Sequence, residues 1–373
     1  MGSQSSLQIV FDTATITFQN NQIFDPQHAA KFPGAMTWAV FSEHAKKRGW
    51  EIMTSDVYLK KSEHSSVTLC ISEMVTPFTK RVLATGAIPL IIMSGESPNV
   101  VWDFYHNLGR YVRPYRHAFL FRGASARVKP PTRFHPLYWP NTYCDLGPAP
   151  EWNKRQFLAM VVSNKQRILV NEQKPLKSMR RLAKRMIWAY LHFSDPLFRF
   201  EDLYKRRMDA ICYFSEKQGF SLFGTGWDAQ GGLSNPQWQI IQRLRPASVE
   251  DKLGTLRHFR FALCFENCVF PGYVTEKVFD CFLSGCVPIY LGAPDITDFI
   301  PKESFIDCSQ FDNYVELERF LREMSEVDFQ KYIGAARDFL ASSEFNKFTV
   351  DYFVNDILNV IEQEFEKIHE GGR

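Results

Sequence analysis

Short apolar runs alternate with amphipathic segments along the first 120 or so residues of the chain. The runs that predict buried strands are LQIVF, WEIMTS, SVTLCIS, IPLIIMS and HAFLFRG. Between the first two of them, TWAVFSEHAKKRG has the apolar spacing of a helix, which we expect to end at Gly49. Strands that alternate with helices indicate a parallel sheet with helices on both faces.

The segment from Arg122 to Pro150 interrupts this alternation. It contains KPPTRFHPLYWPNTY and LGPAPEW, and such a density of proline favours an extended loop and an interdomain linker. We therefore predict a first domain over residues 1–150 and a boundary near its end.

The same alternation resumes after residue 150. The predicted strands are QFLAMVVSN, SLFGTGW, FRFALCFEN, VPIYLG and SFIDCSQF, and the predicted helices are YKRRMDAICYFSEKQG and TEKVFDCFLSG. We predict a second domain over residues 151–345 and a helical C-terminal tail over 346–373. The fold class is then α/β, with two facing Rossmann-like, doubly wound domains, and such folds bind ligands at the carboxyl ends of their strands.

The composition argues against several classes of protein. A net charge of +3 over 373 residues is too small to indicate a nucleic-acid binder. No apolar run approaches the roughly 18 residues of a membrane span, and the N-terminus lacks the pattern of a signal peptide. The eight cysteines are scattered without metal-site spacing, which predicts buried free thiols and a reducing, cytoplasmic location.

The charge is unevenly distributed. Residues 165–207 contain 12 Lys and Arg against 4 Asp and Glu, a local charge of +8. Within this basic insert of about residues 165–205, KPLKSMRRLAKRMIWAYLHF mixes basic with apolar side chains. Two hypotheses follow: an amphipathic helix with a solvated face, or a helix through which residues 174–190 contact an anionic acceptor or the inner face of a membrane.

The stretch FENCVFPGYVTEKVF, which begins at Phe265, places polar groups between a strand and a helix. We expect the strand to end near Glu266 and Thr275 to be the N-cap of a helix that starts at Glu276. The positive end of the helix dipole suits a phosphate. Lys277 in the first turn opposes that dipole, so its position favours a bound anion. We predict a nucleotide diphosphate here, with Glu276 on the sugar hydroxyls.

The longer segment FENCVFPGYVTEKVFDCFLSGCVPIYLGAPDITDFIPKESFID resembles the donor-binding signature of the α-1,3/4-fucosyltransferases, including those of bacterial type. GESPN, MVVSN and FGTGW are similar to three shorter elements of that family and occur in the family's order. Two features depart from its pattern. Cys268 stands where Ser is usual, and about 40 residues separate VVSN from the helix expected to carry a donor-binding arginine.

The resemblance implies an inverting glycosyltransferase of the two-Rossmann GT-B type. It would move fucose from GDP-fucose to a hydroxyl of an acceptor glycan, in α-1,3 or α-1,4 linkage to GlcNAc or Glc. It would need no metal cofactor, and the sequence contains no Asp-x-Asp, the carboxylate pair by which many transferases hold a divalent ion. The sequence leaves an oligosaccharide, a lipopolysaccharide and a glycolipid open as acceptors.

An inverting displacement needs a base for the acceptor hydroxyl. Glu96, directly after IPLIIMSG, is the candidate; the alternative is a loop carboxylate that caps the next helix. Arg207 is expected to contact the diphosphate, with Arg206 as a close competitor. For Glu266 the sequence allows either a structural role or contact with the sugar. For Trp227 it allows either core packing or stacking on guanine. The full predicted donor-binding set is Ser163, Asn164, Arg207, Gly224, Asn267, Tyr273, Thr275, Glu276 and Lys277.

Two other functions fit the same pattern. One is a transferase of the same fold that uses another nucleotide sugar. The other is a non-catalytic carbohydrate-binding module, although such a module has no need for a base. A dehydrogenase is disfavoured because no G-x-G-x-x-G follows an early strand.

Overall fold

A computed structural model describes residues 7–371, except 14, 33, 144, 145, 148, 165–185, 187–189, 191, 192 and 231. The chain divides into two compact units. The N-terminal unit comprises Met1–Thr142 together with Asn346–Arg373, and the C-terminal unit comprises Tyr143–Phe345. The chain thus passes from the first unit to the second and returns to the first near its end.

The N-terminal unit is built on one parallel sheet with the strand order β2-β1-β3-β4-β5-β6. Every residue of its first strand is buried, as expected for a strand covered on both faces. The strands predicted from the five apolar runs are confirmed. The strands are β1 (Leu7–Asp12), β2 (Glu51–Thr54), β3 (Val67–Glu73), β4 (Ile88–Met93), β5 (His117–Leu120) and β6 (Arg133–Pro136).

The final helix of the chain packs on the N-terminal unit. Trp38 meets Phe353 edge to face with ring centroids 5.9 Å apart, and Arg48 forms an ion pair with Glu362 at 2.6 Å. The predicted C-terminal helix is confirmed, and these contacts make it part of the first unit. The helices of this unit are α1 (Pro26–Ala29), α2 (Met36–Lys47), α3 (Ser55–Tyr58), α4 (Thr79–Ala84), α5 (Trp102–His106), α6 (Leu108–Val112) and α13 (Val350–Gly371).

Strand β6 corrects the prediction of an unbroken extended loop from Arg122 to Pro150. Its four residues pair in parallel with β5, from His117–Arg133 to Leu120–Pro136. The strand lies at the edge of the sheet, where a proline costs no ladder hydrogen bond. A prediction based on proline content alone therefore missed this short edge strand.

The C-terminal unit has a second parallel sheet, with the order β11-β10-β9-β7-β8. Phe261 and Ile289 lie fully buried at its centre. Its strands are β7 (Gln156–Val161), β8 (Phe220–Phe223), β9 (Phe259–Phe265), β10 (Val287–Leu291) and β11 (Ile306–Asp307). Four of them lie within the predicted runs, and β8 begins one residue before its predicted run, at Phe220. Its helices are α7 (Tyr204–Phe214), α8 (Asn235–Leu244), α9 (Lys252–Leu256), α10 (Glu276–Ser284), α11 (Tyr314–Glu323) and α12 (Glu326–Leu340).

The seven cysteines among the described residues are all free thiols, as the sequence predicted, and six of them are buried. Within the described ranges, no helix combines the length and the apolar character that crossing a bilayer requires. Most of the basic segment 174–190 lies outside the described residues, so both hypotheses about it stay predictions.

Candidate active site

The connection between β9 and α10 contains a buried carboxylate. Glu266 is fully buried directly after β9, and it accepts hydrogen bonds from the Thr275 amide and from the Thr275 hydroxyl, each at 2.9 Å. The ammonium group of Lys277 donates to its second oxygen at 2.8 Å. Glu266 therefore makes hydrogen bonds within the domain, one of the two roles that the sequence left open for it, and these join the start of α10 to the end of β9.

Thr275 occupies the predicted N-cap position of α10, but its side chain does not cap the helix. Its hydroxyl is instead engaged with Glu266. Because Thr275 does not cap them, the first-turn amides after Glu276 remain available to an anion, whereas the Glu276 amide faces its own carboxylate. The helix ends at Gly285, in the left-handed region with φ 63°, where the sequence predicted its stop.

Charges alternate at the start of α10. Burial lowers the pKa of Lys277, but Glu266 and Glu276 raise it by more, so its pKa lies above the ordinary value and it is cationic. Burial raises the pKa of Glu276, whereas Lys277 and Lys252 lower it by more, so that the pKa of Glu276 is about 2. Lys252 also contacts Asp280 at 2.5 Å. The first turn of α10 thus presents a fixed cation beside an ionised carboxylate.

A second cation lies at the same strand end. Arg207 of α7 is buried and donates to the Phe265 carbonyl, through Nε at 3.2 Å and Nη2 at 2.7 Å. Nη2 also donates to the Asn267 side chain at 2.9 Å, and the Asn267 amide group donates to the Tyr273 hydroxyl at 3.0 Å. Tyr273 is buried, so its ring supports Asn267 rather than offering an open face for stacking. Nη1 of Arg207 makes no hydrogen bond within the described part of the chain.

The neighbouring arginine is placed differently. Arg206 has a side chain that is 43% exposed and lies 3.5 Å from Glu201. Arg207, in contrast, is close enough to Lys277 for its charge to lower the pKa of that lysine in part. The structure therefore places Arg207, and not Arg206, beside the start of α10.

The ends of β7 and β8 lie together at the carboxyl edge of this sheet. The hydroxyls of Ser163 and Thr225 are 3.0 Å apart, and the backbone amide of Asn164 donates to the Thr225 carbonyl at 2.9 Å. Asn164 is buried, and its Nδ2 finds no partner among the described residues. Trp227 is buried in the core and donates to the Val162 carbonyl at 2.8 Å. Core packing, and not an open stacking face, is thus what the structure shows for Trp227.

Glu96 lies in the N-terminal unit, in the turn after β4. Its backbone is held by Ser94, whose hydroxyl accepts from the Glu96 amide at 3.3 Å, and by Tyr105, whose hydroxyl donates to the Glu96 carbonyl at 3.0 Å. Helix α5 begins only at Trp102 and has no side-chain cap, so the capping alternative is wrong. The half-buried Glu96 carboxylate forms neither a hydrogen bond nor an ion pair with any described residue.

A second carboxylate lies near Glu96 and was missed from the sequence. Glu73, the last residue of β3, accepts a hydrogen bond from the Thr13 hydroxyl at 3.1 Å. Burial raises the pKa of Glu73, the Thr13 hydrogen bond lowers it in part, and the charge of Glu96 raises it further. The carboxyl ends of two neighbouring strands thus bring two acidic side chains into electrostatic contact.

Comparison with known proteins adds to this geometry. The family model for the glycosyltransferase family 10 (fucosyltransferase) C-terminal domain matches residues 206–348. An alpha-(1,4)-fucosyltransferase of Arabidopsis thaliana is 41% identical over 79 residues, which are 21% of this chain and 20% of that protein. Residues 206–348 are thus similar to the C-terminal domain of glycosyltransferase family 10. The resemblance stated from the sequence motifs is therefore confirmed.

Other relatives extend this result without covering the whole chain. An alpha-(1,3)-fucosyltransferase FucT of Helicobacter pylori is 39% identical to it over 130 residues, or 31% of this chain and 25% of that protein. The aligned segments thus span a quarter or less of these two curated relatives. A solved structure of Anabaena HepE in complex with UDP and glucose covers 95% of this chain and 99% of its own, with a TM-score of 0.53 and 11% identity. The chain accordingly has the GT-B fold.

The region that matches the family 10 model contains a charged residue near α10 that the sequence did not reveal. Lys252, at the start of α9, lies 2.5 Å from Asp280 and 3.8 Å from Glu276. No motif marks this lysine, because the contact joins two separate helices. The sequence did carry a signal for Glu73, because it directly follows the apolar run SVTLCIS just as Glu96 directly follows IPLIIMSG.

The backbone at Gly224, directly after β8, lies close against the backbone of Val162, directly after β7. Its φ is +131°, and a Cβ there would lie 2.1 Å from the Val162 carbonyl oxygen. Gly224→Ala is expected to destabilise the protein by about 3 kcal/mol, because backbone has to move. The urea denaturation midpoint measures this. Gly334→Ala is the matched control, since nothing lies within 4 Å of its Cβ position, and it should stabilise α12 by about 0.5–1 kcal/mol. Equal midpoints for the two variants would contradict the expectation.

Proposed function

We propose that this protein transfers fucose from GDP-fucose to a hydroxyl of an acceptor glycan, in α-1,3 or α-1,4 linkage and with inversion at the anomeric carbon. The family 10 match and the fucosyltransferase relatives support the class of reaction. The structure of the β9 edge supports the assignment of the donor site to specific side chains.

One observation carries the proposal: two cations are fixed at the end of a single strand. Arg207 is held by Phe265 and Asn267, and Lys277 is held by Glu266. Both are partly desolvated, and both lie near the first turn of α10, whose amides Thr275 does not cap. Glu266 and Glu276 compensate the charge of Lys277, but among the described residues Arg207 donates only to uncharged oxygens, those of Phe265 and Asn267, and a buried arginine without an anionic partner is unfavourable. The diphosphate of a nucleotide sugar would supply that partner.

The proposed chemical step is a single displacement. Glu96 accepts the proton of the acceptor hydroxyl, whose oxygen attacks C1 of fucose as the bond from C1 to the diphosphate breaks. The electron pair of that bond leaves with GDP. Arg207, Lys277 and the α10 amides stabilise the negative charge that develops on the diphosphate, because they are already in position before the reaction.

We propose that the diphosphate is held without a divalent metal, because these two side chains supply the positive charge that a metal would otherwise supply. Excess EDTA in the transfer assay should then leave the rate unchanged. A loss of activity that added Mg²⁺ or Mn²⁺ restores would overturn this part of the proposal.

The donor assignment is tested by calorimetric titration with GDP-fucose, GDP-mannose, GDP, UDP-glucose and UDP. We expect GDP-fucose to bind at least about tenfold more tightly than either uridine ligand, a difference of about 1.4 kcal/mol. GDP-fucose should also bind more tightly than GDP-mannose.

Each other outcome has a distinct meaning. A preference for the uridine ligands would retain the fold and reject fucose as the donor sugar. Failure of all five ligands to bind would favour the non-catalytic module. Binding of GDP-fucose without transfer to any of a panel of β-linked GlcNAc and Glc acceptors would reject the acceptor class and leave the donor assignment intact.

A further inference from the structure

The N-terminal unit contains a small aromatic pocket close to Glu96. It has a volume of about 120 Å³, and it lies at the carboxyl ends of β3 and β4. Its lining includes Phe18, Trp38, Trp139, Phe353, Glu73 and Gly95. No part of the family 10 match forms its lining, so this pocket is separate from the donor site.

The pocket combines apolar walls with one carboxyl group. Trp38 and Phe353 are buried and meet edge to face, which fixes both rings. Trp139 and Phe18 are half-buried, so part of each ring faces the open space. Among the lining residues, Glu73 is the only one with an ionisable side chain. Such a site suits a ligand that has an apolar face and a hydroxyl at its rim.

The backbone at Glu73 is unusual. The next residue, Met74, has φ +64°, a left-handed conformation that a non-glycine side chain rarely adopts. Its amide donates to the Met93 carbonyl at 2.9 Å, which keeps the end of β3 against the end of β4. Strain of this kind persists only where the surrounding structure enforces it, and here it occurs in the residue directly after Glu73.

The pocket reaches the proposed base through Gly95. A Cβ at Gly95 would lie 3.0 Å from the Trp139 ring, so the indole packs directly against the turn that carries Glu96. Glu96 and Glu73 also interact electrostatically. A sugar seated against Trp139 would therefore have a hydroxyl within the neighbourhood of the Glu96 carboxylate.

We propose that this pocket is the acceptor subsite and that Glu73 anchors one hydroxyl of a single acceptor pyranose whose apolar ring face lies against Trp139. The proposal rests on the transferase function proposed above and adds the residues that select the acceptor. Glu73 is a specificity-determining residue here, because it would touch the acceptor without taking the proton of the reacting hydroxyl.

The dimensions of the pocket admit part of one sugar ring and no more. A cavity of about 150 Å³ accommodates one benzene molecule, so a pocket of about 120 Å³ has room for part of one pyranose and not for a disaccharide. The rest of an acceptor chain would extend into solvent. A purely apolar ligand is disfavoured, because it would cover the Glu73 carboxyl without giving it a hydrogen-bond partner.

The test uses the full chain with two probes, methyl β-D-N-acetylglucosaminide and methyl β-D-glucoside, observed by saturation-transfer NMR. Glu73→Ala and Trp139→Leu are each expected to weaken probe binding about tenfold or more, as the loss of a charge-assisted hydrogen bond or of an aromatic contact requires. The matched controls are Glu43→Gln, an exposed carboxylate of the same unit, and Trp50→Leu, a half-buried indole outside the pocket. Both controls should bind the probes like the wild type.

The proposal is overturned if both pocket variants bind the probes as the wild type does, or if neither probe binds the wild type. In turnover assays, Glu73→Ala should raise the acceptor KM about tenfold, while kcat changes less than about threefold and GDP-fucose binds unchanged. A fall in kcat without a change in KM would instead give Glu73 a role in the chemical step and reject the anchoring role. GDP-fucose binding separates this inference from the proposed function: wild-type protein that fails to bind the donor contradicts the function, whatever the probes do.

Discussion

Glu96→Gln is expected to lower kcat for fucosyl transfer by about 10²–10⁴-fold while leaving the dissociation constant of GDP-fucose unchanged. Glutamine keeps the size and shape of the side chain but cannot accept the proton of the acceptor hydroxyl. Its backbone supports, the Ser94 and Tyr105 hydroxyls, are untouched by the change. Single-turnover transfer with saturating donor measures the effect on chemistry, and calorimetry measures donor binding.

Two further variants show whether the loss of transfer activity is caused by the change at Glu96. Glu63→Gln removes an exposed carboxylate of the same unit and should behave as the wild type. Glu73→Gln tests the neighbouring carboxylate. If Glu73→Gln abolished turnover and Glu96→Gln did not, the base would be Glu73, and the assignment from the strand-end position would be wrong.

Most of the fold was predictable because parallel strands buried on both faces form continuous apolar runs, and these are distinct in the sequence. Runs such as LQIVF and FRFALCF became β1 and β9. Strand β6 was not predictable in this way, because an edge strand needs no apolar run and tolerates the prolines of KPPTRFHP. The return of the C-terminal helix to the first unit was also hidden, since it depends on contacts such as that between Trp38 and Phe353.

The candidate site was predictable in position and less so in internal contacts. The strand-end rule located Glu96, Ser163 and Glu266 at carboxyl edges, and the helix rule located Thr275 at the start of α10. Which atoms bond to which could not be inferred from spacing. Thr275 has the right residue type for a cap, yet its hydroxyl bonds to Glu266 because a fully buried carboxylate requires every donor nearby.

The same reasoning changes the meaning of Lys277. From the sequence, a lysine that opposes the helix dipole indicated a bound anion. The structure shows that Glu266 already compensates part of its charge, at 2.8 Å. Lys277 therefore has two functions that a single substitution would confuse: it neutralises a buried carboxylate, and in our proposal it contacts the diphosphate.

Lys277→Met is expected to weaken GDP binding by about 10- to 100-fold and also to destabilise the protein by about 3–5 kcal/mol. The loss of stability follows because Glu266 stays fully buried without its cation. Calorimetry with GDP and the urea denaturation midpoint measure the two effects separately. Lys217→Met, which removes the ion pair with Glu318 in the same unit, is the control and should leave GDP binding intact.

The double variant Glu266→Gln/Lys277→Met separates the two functions of the lysine. It removes both buried charges together, and the introduced glutamine side chain can still accept the hydrogen bond from the Thr275 amide, so most of the lost stability should return. GDP binding should stay weak, because no cation is restored at the start of α10. If the double variant recovered GDP affinity along with stability, Lys277 would act only through the fold, and the diphosphate would be held by Arg207 and the helix N-terminus alone.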